Sequence, residues 1–333
     1  MIECGSTGRP RLQRIALAAM LVLTLPVAGP AGAQNYPTRP IRFITVSAPG
    51  TVGDIIPRVI SQELAPRLGQ PVVVENRTGG SGMVGAVAGA NAPADGYNLL
   101  LSTSGTMIVN TLVYAKMPFN PKKDFEPIAL IASVPLVLVV NSSSKVKTFR
   151  DLVSLARSSP GAVTYGSLGN GSTSNISAVF MKKAEGIDMI QVPYKGTTDA
   201  INDIVADRLT MMFDFVGTAL PHIKSGRLRA LAVATSKRLA VLPDVPSMGE
   251  LGYPGFDTTM FYAVYAPAGT PRDIVSRLGE EFRAVLERPA VREKFANIVV
   301  EPGNLAGEQF SAFLAAQYTR WEAMIKSLDI PVE

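Results

Sequence analysis

Short runs of β-branched and other apolar residues alternate along the chain with longer segments whose apolar residues recur every three to four positions. The first pattern is typical of buried strands and the second of amphipathic helices. Residues 41–48 (IRFITVSA) show the first pattern, and residues 53–69 place Ile55, Val59 and Leu64 at helical spacing. Strand–helix–strand order of this kind predicts parallel strand pairing with right-handed crossovers.

The alternation continues to the end of the chain and restarts after residue 135. Further strands are predicted at 71–76, 97–102, 135–143, 162–167, 189–194, 209–215, 227–234 and 260–269. Further helices are predicted at 149–159, 173–186, 197–208, 271–287 and 306–328. This order predicts two α/β lobes linked by two strand-like bridges, with the C-terminal helices returning to the first lobe.

The first 33 residues have the layout of a secretory signal peptide. Three arginines precede an apolar run over residues 15–27, and residues 31–33 (AGA) supply the A-x-A pattern of a cleavage site. A membrane-spanning helix would need roughly 20 apolar residues, whereas this run is shorter and contains Pro26. We therefore expect residues 1–33 to be a signal peptide and the protein to be exported to the periplasm.

Composition and charge narrow the class of partner. Cleavage after Ala33 would leave 300 residues without Cys4, the only cysteine, so the exported protein would hold no disulfide. Its net charge would fall from +5 to +3, because three arginines and Glu3 would leave with the segment. No cluster of Lys and Arg interleaved with aromatic residues is present, which argues against a nucleic-acid partner.

Four loops rich in small polar residues follow predicted strands: 48–54 (APGTVGD), 102–106 (STSGT), 166–175 (GSLGNGSTSN) and 214–218 (DFVGT). Ligands of open parallel sheets bind beyond the carboxyl ends of the strands. Helices that begin there direct free backbone N–H groups and a partial positive charge toward the ligand. Ordinary β–α turns are polar as well, but four such loops at strand ends together predict a cleft that binds an anion.

Catalysis by a serine nucleophile is an alternative for these loops. It requires a base and a group that orients the base, yet the only histidine, His222, lies outside them. Ser167 is followed by Leu168 and Gly169, so the G-x-S-x-G motif is absent. With one histidine and no exported cysteine, a His/Cys metal cluster is excluded, and no cofactor is expected.

Residues 80–85 (GSGMVG) match the G-x-G-x-x-G fingerprint of dinucleotide-binding proteins. The fingerprint also needs an acidic residue at the end of a strand about 20 residues further on, and none is found there. We interpret the glycines as close packing of a helix against the sheet, with Gly79 and Gly80 forming the turn.

Eight strings of the sequence resemble, in the same order, the substrate-binding proteins of the tripartite tricarboxylate transporter family, also called Bug-type receptors. They are YPTRPIRFITVSAPGTVGD, GQPVVVENRTGGSGMVGA, APADGYNLLLS, YGSLGNGSTSN, VPYKGTTDAINDIVADRLTMMFD, ALPHIKSGRLRALAVATSKR, LPDVPSMGELGYPGF and APAGTPRDIV. The resemblance covers residues 36–333. It implies a type II-like, two-lobed periplasmic binding fold with two mixed or parallel sheets joined by two crossover strands, which closes on a small carboxylate.

The resemblance also implies how the chain is divided and what it contacts. Lobe 1 would comprise residues 36–134 and 266–333, and lobe 2 residues 135–265. The protein would be a monomer without enzymatic activity or cofactor that passes a dicarboxylate, tricarboxylate, aromatic acid or acidic amino acid to a membrane permease. A sensor that presents the ligand to a membrane receptor kinase, and an enzyme on the same fold, remain as alternatives.

The ligand residues implied by the resemblance lie in the four loops and would act through backbone amides, hydroxyls and ordered water. They are Ala48, Gly50, Thr51, Asp54, Ser167, Gly169, Asn170, Gly171, Ser172 and Thr173, with Ser104 and Asp214 at the rim. Thr51 stands where the family has the second of two glycines, and Asn175 where it commonly has histidine. Because the loops hold few basic residues, we expect amides and hydroxyls to neutralise the carboxylate, with Lys195 at the edge.

Overall fold

The computed structural model describes residues 1–3 and 36–328, and the account below concerns residues 37–328, which belong to a single unit. All but the first three residues of the predicted signal peptide, residues 1–33, lie outside the described residues, so the signal peptide stays a prediction from sequence.

Strands and helices alternate through most of the described chain. The strands are β1 Ile41–Thr45, β2 Val72–Asn76, β3 Asn98–Thr103, β4 Phe125–Val134, β5 Leu136–Asn141, β6 Thr164–Ser167, β7 Ile190–Pro193, β8 Met211–Phe215, β9 Leu228–Val233, β10 Met260–Pro267 and β11 Glu301–Pro302. The α-helices are α1 Val52–Leu68, α2 Met83–Ala90, α3 Asn110–Val113, α4 Pro121–Asp124, α5 Phe149–Ser158, α6 Thr173–Glu185, α7 Thr197–Val205, α8 Val216–Lys224, α9 Arg272–Leu286, α10 Pro289–Asn297 and α11 Gly307–Leu328. A 3₁₀ turn, Gly80–Gly82, precedes α2, and a π-helix, Gly105–Val109, leads into α3. None of the helices described has the length and apolar content needed to cross a membrane.

The strands form two sheets. The first has the order β11-β4-β10-β3-β1-β2; β1 is parallel to β2 and β3, and β10 is antiparallel to β3 and β4. The second has the order β7-β6-β8-β5-β9; β6 is parallel to β7 and β8, and β5 is antiparallel to β8 and β9. The two mixed sheets expected from the sequence are therefore present, one in each lobe.

The chain passes between the sheets at two points. Pro135 alone separates β4 of the first sheet from β5 of the second. The chain returns through β10, which pairs with β3 and β4. The lobe boundary that the sequence places between residues 265 and 266 falls within this strand.

Helix α1 contains Pro57, which has no N–H for the carbonyl of Gly53 four residues earlier. Thr45, the last residue of β1, donates its hydroxyl to that carbonyl at 2.8 Å. The helix ends before Gly69, whose φ of +68° suits a left-handed C-cap. The start of α1 is thus fastened to the end of β1, and this fixes the two ends of the loop between them.

Each sheet has a buried apolar cluster. The first includes Leu100, Tyr265 and Trp321, and the second includes Val137 and Met212. Ile176 of α6 is fully buried in the first cluster, although α6 packs on β6 and β8 of the second sheet. The first turns of α6 therefore lie where the two lobes meet.

Candidate functional site

Asp54 organises the loop that follows β1. Its Oδ2 accepts the Gly50 N–H at 2.9 Å, and its Oδ1 accepts Arg58 Nε and Asn76 Nδ2, each at 2.9 Å. Burial alone would raise the pKa of Asp54, but the hydrogen bonds from Arg58, Gly50 and Asn76 outweigh it and hold that pKa below its ordinary value. Asn76 Nδ2 also donates to Ser47 O at 2.9 Å. Asp54 therefore shapes the loop from beneath, with both carboxylate oxygens engaged inside its own lobe.

The exposed tip of this loop, residues 48–51, includes Ala48, Gly50 and Thr51. Gly50 has a φ of +77°, and Thr51 donates its hydroxyl to Ala48 O at 2.7 Å. The N–H of Thr51 reaches the same carbonyl at 3.3 Å. Three of the four residues predicted in the first loop thus form a tight exposed turn above Asp54.

Tyr262 of β10 lies under the same loop, and no sequence pattern predicted its presence there. A Cβ built on Gly53 would lie 2.0 Å from Ser47 Oγ and 2.6 Å from the Tyr262 hydroxyl, so the site admits only glycine. Burial raises the pKa of Tyr262 to about 12, which a hydrogen bond with Ser47 partly offsets. Tyr262 also pairs with Thr103 in the sheet, and so connects the first loop with the second.

Hydrogen bonds made by its own hydroxyl groups hold the second loop, residues 102–106, in place. Ser104 is fully buried, and its Oγ accepts the Phe261 N–H at 3.3 Å. The Thr103 and Thr106 hydroxyls lie 3.1 Å apart, and the Thr106 N–H donates to Thr103 Oγ1 at 3.1 Å. Ser104, expected at the rim, is therefore buried and fastened to β10.

Ser172 folds the third loop, residues 166–175, onto itself. Its hydroxyl donates to Gly169 O at 2.6 Å and accepts the Asn175 N–H at 3.2 Å, which makes Ser172 the N-cap of α6. Gly169 has a φ of +102°, a conformation that residues with a side chain rarely adopt. The shape of the loop therefore depends on glycine at this position.

Ser167 is fully buried at the base of the third loop. Its Oγ accepts Gln191 Nε2 at 2.7 Å and the Gly169 N–H at 3.4 Å. Gln191 Nε2 also donates to Asn170 Oδ1 at 3.0 Å. Both partners of the Ser167 hydroxyl in the described part of the chain are donors, and neither is a base that could activate it as a nucleophile.

The amides at the start of α6 remain available. The N–H groups of Gly171 and Thr173 make no hydrogen bond among the described residues. Thr173 is the first residue of α6, at the helix end that carries a partial positive charge, and Gly171 lies directly before the N-cap. This part of the loop can therefore stabilise a negative charge without a basic side chain.

Asn175, where the family resemblance leads one to expect histidine, is buried, and both its amide nitrogen and its amide oxygen make hydrogen bonds. Its Nδ2 donates to Asn170 O at 3.0 Å, and its Oδ1 accepts the Tyr165 hydroxyl at 3.1 Å. Burial raises the pKa of Tyr165 to about 12, so the hydroxyl keeps its proton near neutral pH. Asn175 holds the third loop to β6.

Asp214 is a buried carboxyl at the end of β8, 1% exposed. Neither carboxyl oxygen has a hydrogen-bond partner among the described residues. Burial raises the pKa of Asp214 to about 7, although the nearby Phe215 N–H offsets part of the effect. Because β6 and β8 are parallel with Gly166 opposite Met212, Asp214 stands two residues beyond this pair, on the strand next to the one that leads into the third loop.

Loops from the two lobes touch at glycines. A Cβ built on Gly105 would lie 3.3 Å from Gly171 O, and one on Gly169 would lie 3.3 Å from Ser81 Oγ. A Cβ on Gly217, in the first turn of α8, would lie 2.2 Å from Ile298 O, a backbone atom beside the first sheet. The described arrangement is therefore a closed one in which the backbones of the two lobes meet.

The glycine-rich turn before α2 borders the site, which the sequence did not indicate. A Cβ on Gly85 would lie 2.6 Å from Arg77 O and 3.0 Å from Val46 Cγ1, as expected for a helix packed closely on the sheet. Ser81, however, faces the third loop, and its hydroxyl lies 3.4 Å from that of Tyr114. As for Tyr262, the positions of Ser81 and Tyr114 beside these loops follow from the three-dimensional fold and not from a local sequence pattern.

The four loops offer amides, hydroxyls and the buried carboxyl groups of Asp54 and Asp214. They contain no Lys or Arg, and Lys195 is exposed. No group of three or more His, Cys, Asp or Glu residues in the described ranges could hold a metal ion. His222, in α8, is half-buried, and burial together with Arg227 lowers its pKa.

Comparison with known proteins gives one consistent answer. The family model for the tripartite tricarboxylate transporter family receptor matches residues 56–330. The protein BugT of Bordetella pertussis is 34% identical over 313 residues, which cover 94% of this chain and 96% of BugT.

Two solved structures share the architecture. The Rhodopseudomonas palustris protein Rpa4515 with adipate has a TM-score of 0.82 and 34% identity, covering 88% of this chain and 98% of its own. MatC of the same organism with bound malate has a TM-score of 0.78 and 28% identity, covering 87% of this chain and 100% of its own. The two-lobed periplasmic binding fold and the family resemblance are confirmed, and this chain belongs to the tripartite tricarboxylate transporter family of receptors.

Proposed function

We propose that this protein captures a small carboxylate in the cleft between its lobes and delivers it to the membrane permease of a tripartite transporter. The observation that carries the proposal is the third loop, where N–H groups beside the start of α6 are unbonded and the Gly171 carbonyl oxygen approaches Gly105 in the second loop of the opposite lobe. Such helix starts bind anions through amides and the helix dipole. The adipate and malate in the related structures are ligands of this chemistry.

The ligand-binding residues of the proposal are those named from the sequence, with roles refined by their contacts. The exposed tip of Ala48, Gly50 and Thr51 would contact one end of the ligand, and Asp54 would act by holding the Gly50 amide. Residues 169–173 would contact the other side of the same carboxylate. Ser104, Ser167 and Asp214 would line the floor.

The protein would act in the periplasm as a monomer without catalysis, metal or cofactor. Ser167 lies between two hydrogen-bond donors, and His222 belongs to a different part of the second lobe. Lobe boundaries at residues 134/135 and 265/266 would let the bridging strands serve as the hinge. Closure around a ligand that touches both lobes would stabilise the form that the permease receives.

Calorimetric titration of the purified protein tests this proposal. Adipate, malate, citrate, benzoate and glutamate are compared with adipamide, which has the shape of adipate but no charge, and with glucose. We expect at least one carboxylate to bind; at 100 times its Kd it should add about 2.7 kcal/mol of stability. Binding of adipamide as tight as that of adipate, or binding of glucose with no carboxylate bound, would contradict the proposal.

A further inference from the structure

Asn110 lies at the junction of the two lobes and has no assigned role. It is the first residue of α3, directly after the π-helix Gly105–Val109, and is fully buried. A π-helix inserts an extra residue into a turn and so changes the direction of the side chains that follow. Here the change of direction places the Asn110 side chain between two glycine-containing loops.

On one side Asn110 holds the turn before α2. Its Nδ2 donates to Ser81 O at 3.0 Å, and Thr106 Oγ1 donates to the same carbonyl at 3.1 Å. Ser81 has a φ of +52°, an unfavourable conformation for a residue with a side chain. Such a conformation persists only when surrounding contacts enforce it, and these two donors supply that enforcement.

On the other side Asn110 faces the third loop. Its Oδ1 has no hydrogen-bond partner among the described residues, and a Cβ built on Gly171 would lie 2.0 Å from it. The same Cβ would lie 3.5 Å from the Tyr114 ring. The orientation of the amide follows from its partners, because Ser81 O requires a donor and only Nδ2 can supply one.

We propose that Asn110 is a positioning residue for closure: its amide group holds the Ser81 turn in lobe 1, and its carbonyl oxygen forms the stop against which Gly171 of lobe 2 seats. The two lobes then fit together only because residue 171 is glycine and has no side chain. This contact exists between protein groups alone, so it sets how far the cleft closes whatever ligand is bound. This role of Asn110 rests on the proposed function, but the first experiment that tests it is done without ligand.

A double-mutant cycle tests the proposal. Gly171 has a φ outside the left-handed region, so Gly171→Ala adds a methyl group without backbone strain, and the collision with Asn110 is its main effect. Gly255→Ala is the matched control, because that glycine also lacks a positive φ and has nothing within 4 Å of the added Cβ. Asn110→Ala removes the stop, and Asn110→Ser is a second replacement if the alanine variant does not fold.

The readouts are amide hydrogen exchange and the radius of gyration from X-ray scattering, without added carboxylate. Gly171→Ala should speed exchange at residues 79–82 and 169–173 about tenfold and enlarge the radius. In the Asn110→Ala or Asn110→Ser background the same change should alter exchange less than about twofold, because the methyl group then has room. Gly255→Ala should match the wild type.

Equal effects of Gly171→Ala in both backgrounds, or no effect in either, would overturn the proposal. Adipate and malate binding to the same variants, with association and dissociation rates measured by stopped-flow mixing, forms a second arm. There Gly171→Ala should accelerate dissociation more than it slows association, and the Asn110 replacement should cancel that added loss. Failure of the wild type to bind any carboxylate would count against the proposed function and leave the exchange result to decide the role of Asn110.

Discussion

Asp214 gives the most direct test of the electrostatics of the site. Burial raises its pKa from 3.8 to about 7 in the folded protein. A carboxyl with a raised pKa favours the protonated, neutral form in the fold. Its contribution to stability is therefore fully present below the unfolded pKa and is lost as the pH rises toward 7. Asp214→Asn replaces it with a neutral group of the same shape that does not titrate.

The size of the effect follows from the shift. About three pKa units at 1.36 kcal/mol each give about 4 kcal/mol over the whole range, of which about 3 kcal/mol falls between pH 5 and pH 8. The free energy of unfolding of Asp214→Asn and of the wild type is measured by urea denaturation at both pH values. The value for the variant minus that for the wild type should be about 3 kcal/mol larger at pH 8 than at pH 5.

Asp244→Asn is the control, because Asp244 is exposed and the change removes the same charge. The free energy of unfolding of Asp244→Asn should stay within about 0.5 kcal/mol of the wild-type value at both pH values. If the difference in free energy of unfolding between Asp214→Asn and the wild type did not change with pH, the Asp214 carboxyl would ionise without a loss of stability. The description of this carboxyl as buried and unpaired would then be wrong.

Three further changes probe the cleft by titration with whichever carboxylate binds. Gly169→Val, at a φ of +102° and facing Ser81 Oγ, should weaken binding at least tenfold while the fold is retained; unchanged affinity would mean that the third loop is not the binding loop. Lys195→Ala should cost less than about 1 kcal/mol, the scale of an exposed ion pair, and a loss of about 3 kcal/mol would reveal a buried charge pair. Asp54→Ala should lower both affinity and stability, the latter by about 1 to 3 kcal/mol, because the Gly50 amide loses its acceptor; intact binding would separate Asp54 from the site.

Much of the fold follows from local sequence pattern. The β-branched run at residues 72–76 and the largely apolar run at 211–215 are strands, and the helix predicted over 53–69 is α1 with a shift of one residue. These segments are recognisable because burial on a sheet or on one helix face leaves a period of two or of 3.6 residues. The strand-end loops follow from the same reasoning, since their polar composition is local.

Other elements depend on contacts that the sequence does not reveal. β4 was not predicted: it contains Glu126 and Pro127, and Pro135 alone separates it from β5, so no turn marks where it ends. The β-branched stretch GTMIV forms a π-helix because packing overrides its strand propensity. Asn110 and Tyr262 approach these loops only because of the order of the strands and the approach of the lobes, which no periodicity encodes.

The fastening of α1 to β1 restricts how this receptor could be redesigned for another ligand. Thr45 fixes the Gly53 carbonyl, Asp54 fixes the Gly50 amide, and Asn76 fixes the Ser47 carbonyl. An insertion or deletion between these positions would break at least one of the three links. Loop length is thus unavailable as a means of changing the size of the cleft. If the proposed site is correct, selectivity would have to be engineered through the side chains of the exposed tip, above all residue 51, where a single substitution changes the exposed surface and leaves these three links intact.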